Sequence, residues 1–271
     1  MSEILGVGAL DLEVARIGNG NLDAPVIVFL HEGLGSLAMW KEVPARVCEA
    51  AGLRGLVYSR AGYGRSTPRA HDERWGVDFM HREARDVLPA LLDTAGVQAP
   101  YFLFGHSDGG SIALIHAASF TDRVAGAIVL APHIMVEEFG LASIRKARDA
   151  YLNSDLKDKL ARYHADVDSA FWGWNDIWLD PRFKQWSIEA LLPGIRGPLL
   201  AIQGRDDPYG TMAQIDGIAA AVPGTRRLKL DHCGHSPHRD QPDKVIAATI
   251  EFIDAVATSA RREPMAHRRT T

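Results

Sequence analysis

Cysteine is nearly missing: Cys48 and Cys233 are the only two in a chain of 271 residues. Two thiols cannot form the disulfide framework of a small secreted domain, and such a count fits a reducing compartment, so the cytoplasm is the expected setting. Long apolar runs are missing as well. No stretch approaches the roughly 18 uninterrupted apolar residues that a membrane-spanning helix requires. The opening residues MSEILGVGALDLEV place an acid early and carry no basic stretch ahead of an apolar one, so they do not read as a signal peptide. Charge of one sign is not in excess either: 30 Lys and Arg stand against 34 Asp and Glu, a net charge of −4. That balance points to neither a nucleic-acid nor a membrane-surface partner. The basic residues are scattered except for Arg261, Arg262, Arg268 and Arg269, which fall in a terminal segment, 258–271, expected to be a solvated, disordered tail. There are no internal repeats and no low-complexity linker.

What is present is an ordinary globular composition, 46% hydrophobic and 24% charged, arranged as short apolar runs alternating with helix-like segments. PVIVFLHEG (25–33) is a continuous apolar run closed by turn residues, the pattern of a strand buried on both faces. SLAMWKEVPARVCEAAG follows as helix, with Gly52 at its C-terminal cap. RGLVYSRAGYG then reads as strand and loop, VDFMHREARDVLPALLDTAG as amphipathic helix, APYFLFGHS as strand, DGGSIALIHAASF as helix and VAGAIVLAP as strand. Repeated strand–helix–strand units predict an α/β fold whose mostly parallel sheet is covered by helices on both faces. The rhythm breaks from His133 to Arg196, where helical patches and the tryptophan-rich AFWGWNDIWLDPRFKQW replace strands. It resumes with GPLLAIQG, TMAQIDGIAAAV, TRRLKLDHCG and PDKVIAATIEFIDAVA. The expected organisation is a core of residues 1–132 and 197–257 with a helical cap, 133–196, inserted late in the chain.

One stretch carries chemistry. In YFLFGHSDGGS, residues 101–111, Ser107 sits between a predicted strand and a predicted helix, flanked by Gly105 and Gly109. The plain alternative is a glycine-rich turn with no reaction in it. A serine squeezed into such a turn is held in a strained backbone conformation, its hydroxyl lifted off the sheet toward a helix N-terminus where negative charge is favoured. A serine hydroxyl needs a base, and a base needs an orienting acid. Among 11 histidines, His235 in LDHCGHSPHRDQP follows a predicted strand directly, with His232 and His238 as rivals in the same loop. Asp206 and Asp207 end the strand LLAIQG. Asp207 is preferred, because Pro208 biases it to an extended, directed backbone. The order Ser107, Asp207, His235 is the one used by one serine hydrolase fold and not by two others.

With these pieces assembled the sequence resembles the α/β-hydrolase superfamily over about residues 10–257. GHSDGG looks like its nucleophile elbow, HEGLGS like the loop that donates an oxyanion-hole amide, RAGYGRS like the following glycine-rich loop, and GRDD and CGHSP like the acid and histidine loops. The resemblance implies an oxyanion hole formed by the amides of Asp108 and Gly33, with Leu34 as the alternative to Gly33. It also marks Glu32 as a departure, since members commonly carry His-Gly where this chain has His31–Glu32. A carboxylate beside the hole would oppose an oxyanion, so Glu32 is expected to point away, into a supporting hydrogen bond. His31 and His106 are expected to be structural. Ser rather than Asp at position 107 argues against haloalkane dehalogenase and epoxide hydrolase chemistry. The expected function is a cofactor-free serine hydrolase of a small carboxylic ester or lactone. Carbon–carbon bond hydrolysis, thioester hydrolysis, perhydrolysis and non-catalytic ligand binding are the alternatives. No metal is expected: His232, Cys233, His235 and His238 suggest a ligand cluster, but Gly234 and Pro237 argue against the helix that would align them, and no H-E-x-x-H accompanies them. The tryptophans at 172, 174, 178 and 186 are expected to form the cap's own core, with one group facing a pocket, because positions two apart on a helix point in different directions. An apolar lid of this kind would favour a hydrophobic or aromatic acyl or alcohol group.

Overall fold

Apolar runs become the middle of a sheet because both of its faces are covered. A computed structural model describes residues 2–18 and 24–266, with side chains through Ser259. Among these residues β1 (Glu3–Val7), β2 (Leu10–Ile17), β3 (Val26–Leu30), β4 (Arg54–Tyr58), β5 (Tyr101–His106), β6 (Val124–Leu130), β7 (Leu199–Gly204) and β8 (Arg226–Leu230) form one sheet in the order β1-β2-β4-β3-β5-β6-β7-β8. From β4 to β8 the pairing is parallel. Every residue of β3, β5 and β7 is buried, as strands sandwiched between helical layers must be. Two apolar clusters, one on each face, hold the helices to the sheet. The helix Asp108–Ser119 is buried on all sides from Asp108 to Ala117, hence largely apolar without an amphipathic stripe. Gly52 adopts φ 64° and closes the helix Val43–Ala51 by donating to Cys48 and Glu49 carbonyls, the left-handed cap foreseen for it.

The antiparallel edge, β1 with β2 and β2 with β4, was not foreseen. Its signal is present in LDLEVARI, which alternates apolar and polar residues with the period of a strand that has one buried face. Between β6 and β7 the chain forms helices Glu138–Asn153, Leu156–Leu160 and Val167–Trp178 and two short 3-10 turns, touching a strand pattern only at the single Met135–Ser187 bridge. The last helix, Pro242–Ala266, continues past residue 257, where the tail was expected to begin. Residues 267–271 of that segment lie outside the described residues. No described helix is long and apolar enough to cross a membrane. Both cysteines are free and buried, and burial pushes the Cys48 thiol up to about 12 and the Cys233 thiol up to about 11.

The architecture brings together five loops. Gly33, Ser107, His133, Asp207 and His235 each follow, within five residues, the carboxyl end of β3, β5, β6, β7 or β8. Parallel strands deliver these ends to one edge, where open α/β sheets gather their functional groups.

Candidate active site

Ser107 occupies the strand-to-helix turn with φ 53° and ψ −120°, a strained conformation for a residue with a Cβ. The flanking glycines make the turn possible: a Cβ on Gly105 would strike the backbone of Gly109, and one on Gly109 would strike the carbonyls of Leu30 and His31. The turn is held by Ser107 N–H donating to Leu130 O at 2.9 Å.

His235 Nε2 lies 2.9 Å from Ser107 Oγ. Its other nitrogen, Nδ1, lies 2.9 and 2.8 Å from the two oxygens of Asp207. The carboxylate is fixed from two further directions, by the Tyr209 amide at 2.8 Å and by Gln203 Nε2 at 2.7 Å. Burial alone would raise the Asp207 carboxyl, but His235 and the Tyr209 amide outweigh it and hold the acid below its ordinary range. With Asp207 ionised, Nδ1 carries the proton and Nε2 is left to accept one from serine. The rivals fall elsewhere. His232 and Asp206 are exposed, and the Asp206 amide merely bonds Cys233 O. His238 is buried against Trp40 and His106, ring centroids 4.9 and 4.7 Å away.

Gly33, Leu34 and Asp108 line the cavity that Ser107 faces. His31 is fully buried, with Nε2 accepting from the Arg60 amide at 3.0 Å and Nδ1 donating to Glu32 O at 2.7 Å. It thereby clamps the loop that carries Gly33. The expectation for Glu32 is a carboxylate turned into a supporting contact. Glu32 lines the cavity wall while setting Oε2 3.4 Å from His106 Nδ1. Burial alone would raise the Glu32 carboxyl, but His106, with smaller help from His238 and His31, holds it well below the carboxylate range. His106 Nε2 in turn donates to His235 O at 2.6 Å, so a short relay ties the Glu32 loop to the His235 loop.

Comparison with known proteins identifies the family. A sequence profile of the alpha/beta hydrolase family matches residues 27–248. The chain belongs to the α/β-hydrolase family. It is 26% identical over 268 residues to a 2-succinyl-6-hydroxy-2,4-cyclohexadiene-1-carboxylate synthase of Klebsiella pneumoniae (strain 342), covering 88% of this chain and 98% of that protein. It is 27% identical over 255 residues to the serine hydrolase BPHL of Mus musculus, covering 92% and 80% of the two chains. Among solved structures, the enol-lactonase from Burkholderia xenovorans LB400 superposes with a TM-score of 0.73 at 23% identity, over 93% of this chain and 100% of that one; this last likeness is one of fold.

The remaining walls of this α/β-hydrolase's cavity come largely from the helical segment. The cavity, about 220 Å³, lies between the Ser107 edge and Gly140, Ile144, Trp174 and Trp178. Trp178 Nε1 donates to Asp108 Oδ1 at 3.2 Å. Trp174 covers Gly33 so closely that a Cβ there would overlap its ring. Trp186 instead stacks on Phe183 at 5.2 Å, and Trp172 packs beside Phe171, so the tryptophans divide between core and cavity. Sequence reasoning did not single out Gln203, His133, Glu137 or Tyr209. His133 had a usable signal, since it follows β6 by three residues, at the edge where such folds place ligand groups. Its ring sits 5.9 Å from that of His235, and burial, reinforced by His235, lowers it to about 3, so it stands neutral near pH 7.

Proposed function

We propose that the protein is a serine hydrolase that cleaves a small carboxylic ester or lactone, without a cofactor, through an acyl-enzyme on Ser107. The observation that carries this reading is the unbroken line from Ser107 Oγ through His235 to Asp207, 2.9 and then 2.8 Å, at one wall of the cavity. In the first half-reaction His235 Nε2 takes the hydroxyl proton as Oγ attacks the carbonyl carbon. His235 then returns that proton to the leaving alcohol, and Asp207 keeps the imidazole in the required tautomer. In the second half-reaction His235 activates water, which releases the acid and restores Ser107. The amides of Asp108 and Gly33 are the donors for the developing oxyanion. One such donor is worth about 3–4 kcal/mol in the transition state. The segment 133–196 serves as the cap, closing the cavity away from water. A cytoplasmic setting accords with two buried free thiols.

The test is hydrolysis of p-nitrophenyl acetate and butyrate by the wild type and by Ser107→Ala, with mass spectrometry after a fluorophosphonate probe. Turnover lost in the variant, with the label on Ser107, is the expected result. Intact turnover in Ser107→Ala would remove the acyl-enzyme from the reading.

A further inference from the structure

The cavity wall carries three carboxylates, Glu32, Asp108 and Glu137, and no lysine or arginine. Glu137 accepts from the Thr211 amide at 2.9 Å, the Thr211 hydroxyl at 2.7 Å and Gln214 Nε2 at 2.7 Å. These neutral donors hold its carboxylate without cancelling its charge. Glu32 meets His106, as described. Asp108 is the most informative of the three. It is fully buried. Its Oδ1 accepts from Trp178, yet its Oδ2 has no hydrogen-bond partner among the described residues. Arg60 Nη2 stands 3.8 Å from Oδ2, a buried ion pair without a hydrogen bond, and donates to Glu32 O. Oδ2 points at the Gly33 wall, 3.2 Å from where a Cβ of that glycine would lie. A buried carboxylate oxygen left without a donor is costly unless something else supplies one. Trp174, Trp178 and Tyr209 also line the cavity, and aromatic faces attract cations where water is scarce.

We infer that the cavity selects esters or lactones that bear a protonated amine or a quaternary ammonium group, and rejects those that bear a carboxylate; this rests on the hydrolase reading above. Substrate would bring its own positive charge into an acidic, aromatic-walled space, where the low dielectric strengthens the attraction. The apolar walls remain, so the favoured compound is a compact cationic ester rather than a long acyl chain.

Binding and turnover test this separately. Calorimetry on Ser107→Ala would compare choline with its neutral carbon analogue 3,3-dimethylbutan-1-ol, and butylammonium with butan-1-ol. Wild-type kcat/KM would compare acetylthiocholine with 3,3-dimethylbutyl thioacetate, and p-nitrophenyl 4-aminobutyrate with p-nitrophenyl pentanoate and the p-nitrophenyl monoester of succinate. The expected result is a cation preference of about tenfold or more in at least one binding pair and one turnover pair, with the succinate about tenfold below its neutral counterpart. The pair that responds tells whether the charge sits on the acyl or the alcohol side. Glu137→Gln should shrink the cation-to-neutral ratio several-fold; taking the ratio within one variant cancels any general loss of activity or fold. No cation preference in any pair overturns the inference, and with neutral esters still hydrolysed the hydrolase reading stands. Cation-selective binding without turnover of any ester would do the reverse.

Discussion

The two walls of the cavity are built by different rules. On one side, Ser107, Asp207 and His235 each hang from the end of a buried parallel strand, and their positions are fixed by sheet register. On the other, Ile144, Trp174 and Trp178 hang from helices that pack on one another and on the loops beneath them. The sheet wall is held by short polar contacts, and the helical wall by shape. Chemistry that tolerates errors of only a fraction of an ångström belongs on the first wall, and selection among substrates belongs on the second.

If this division is right, changes on the sheet wall should lower kcat and changes on the helical wall should act on KM. The largest effects are expected from Ser107→Ala and His235→Ala, each lowering kcat for p-nitrophenyl butyrate by about 10⁴–10⁶, with circular dichroism unchanged. Asp207→Asn should cost about 10³–10⁴, because an amide no longer enforces the imidazole tautomer. Comparable losses from Asp206→Asn would break the assignment of the acid.

Gly33→Ala sharpens the comparison because it joins the walls. Its new methyl must displace the Trp174 ring, shifting the proposed oxyanion donor, and kcat/KM should fall by about 10². Combining it with Trp174→Ala should recover part of that loss, whereas additive damage would show that the two walls are not in contact through Gly33. Trp178→Phe keeps an aromatic wall but removes the donor to Asp108 Oδ1. The expected cost is about 1–3 kcal/mol of stability, measured by urea unfolding, with KM altered more than kcat.

Glu32→Gln tests the relay beneath the site. The folded protein holds this carboxyl well below its ordinary range, so its charge stabilises the fold fully above the unfolded value of about 4.3 and loses that contribution as pH falls toward the folded value. The variant should therefore be less stable than the wild type near neutral pH, by about 1–3 kcal/mol. The gap should narrow as the solution is acidified below that unfolded value; a gap independent of pH would mean that packing against Gly35 and His106, not charge, is what Glu32 contributes. The smallest expected change is Asp206→Asn, within about twofold in kcat, since that side chain is exposed.

Much of this was legible because it is local. Gly105, Gly109 and Gly52 sit where the backbone allows little else, and PVIVFLHEG, APYFLFGHS and GPLLAIQG can be buried on both faces only as sheet strands. The first hairpin was missed although LDLEVARI alternates like a strand, because that short, partly polar run carries a weaker signal than the continuous apolar runs. Glu32 was expected to take a supporting contact, and the partner it meets, His106, could not be read in advance because it lies on a different strand end. Tyr209 and Gln203 escaped notice because supporting an acid requires no motif, only proximity.

The sequence by itself determined the parallel sheet, the strained turn at Ser107 and the order of the three polar residues, because period, glycine placement and strand ends act over a few neighbouring residues. Only the tertiary structure decided that Asp108 Oδ2 would lack a hydrogen-bond donor among the described residues, that Trp174 would lie over Gly33, and that three carboxylates from distant segments would share one cavity. Those facts depend on how a helical segment settles on a sheet edge, and packing between elements leaves no periodic trace in the chain.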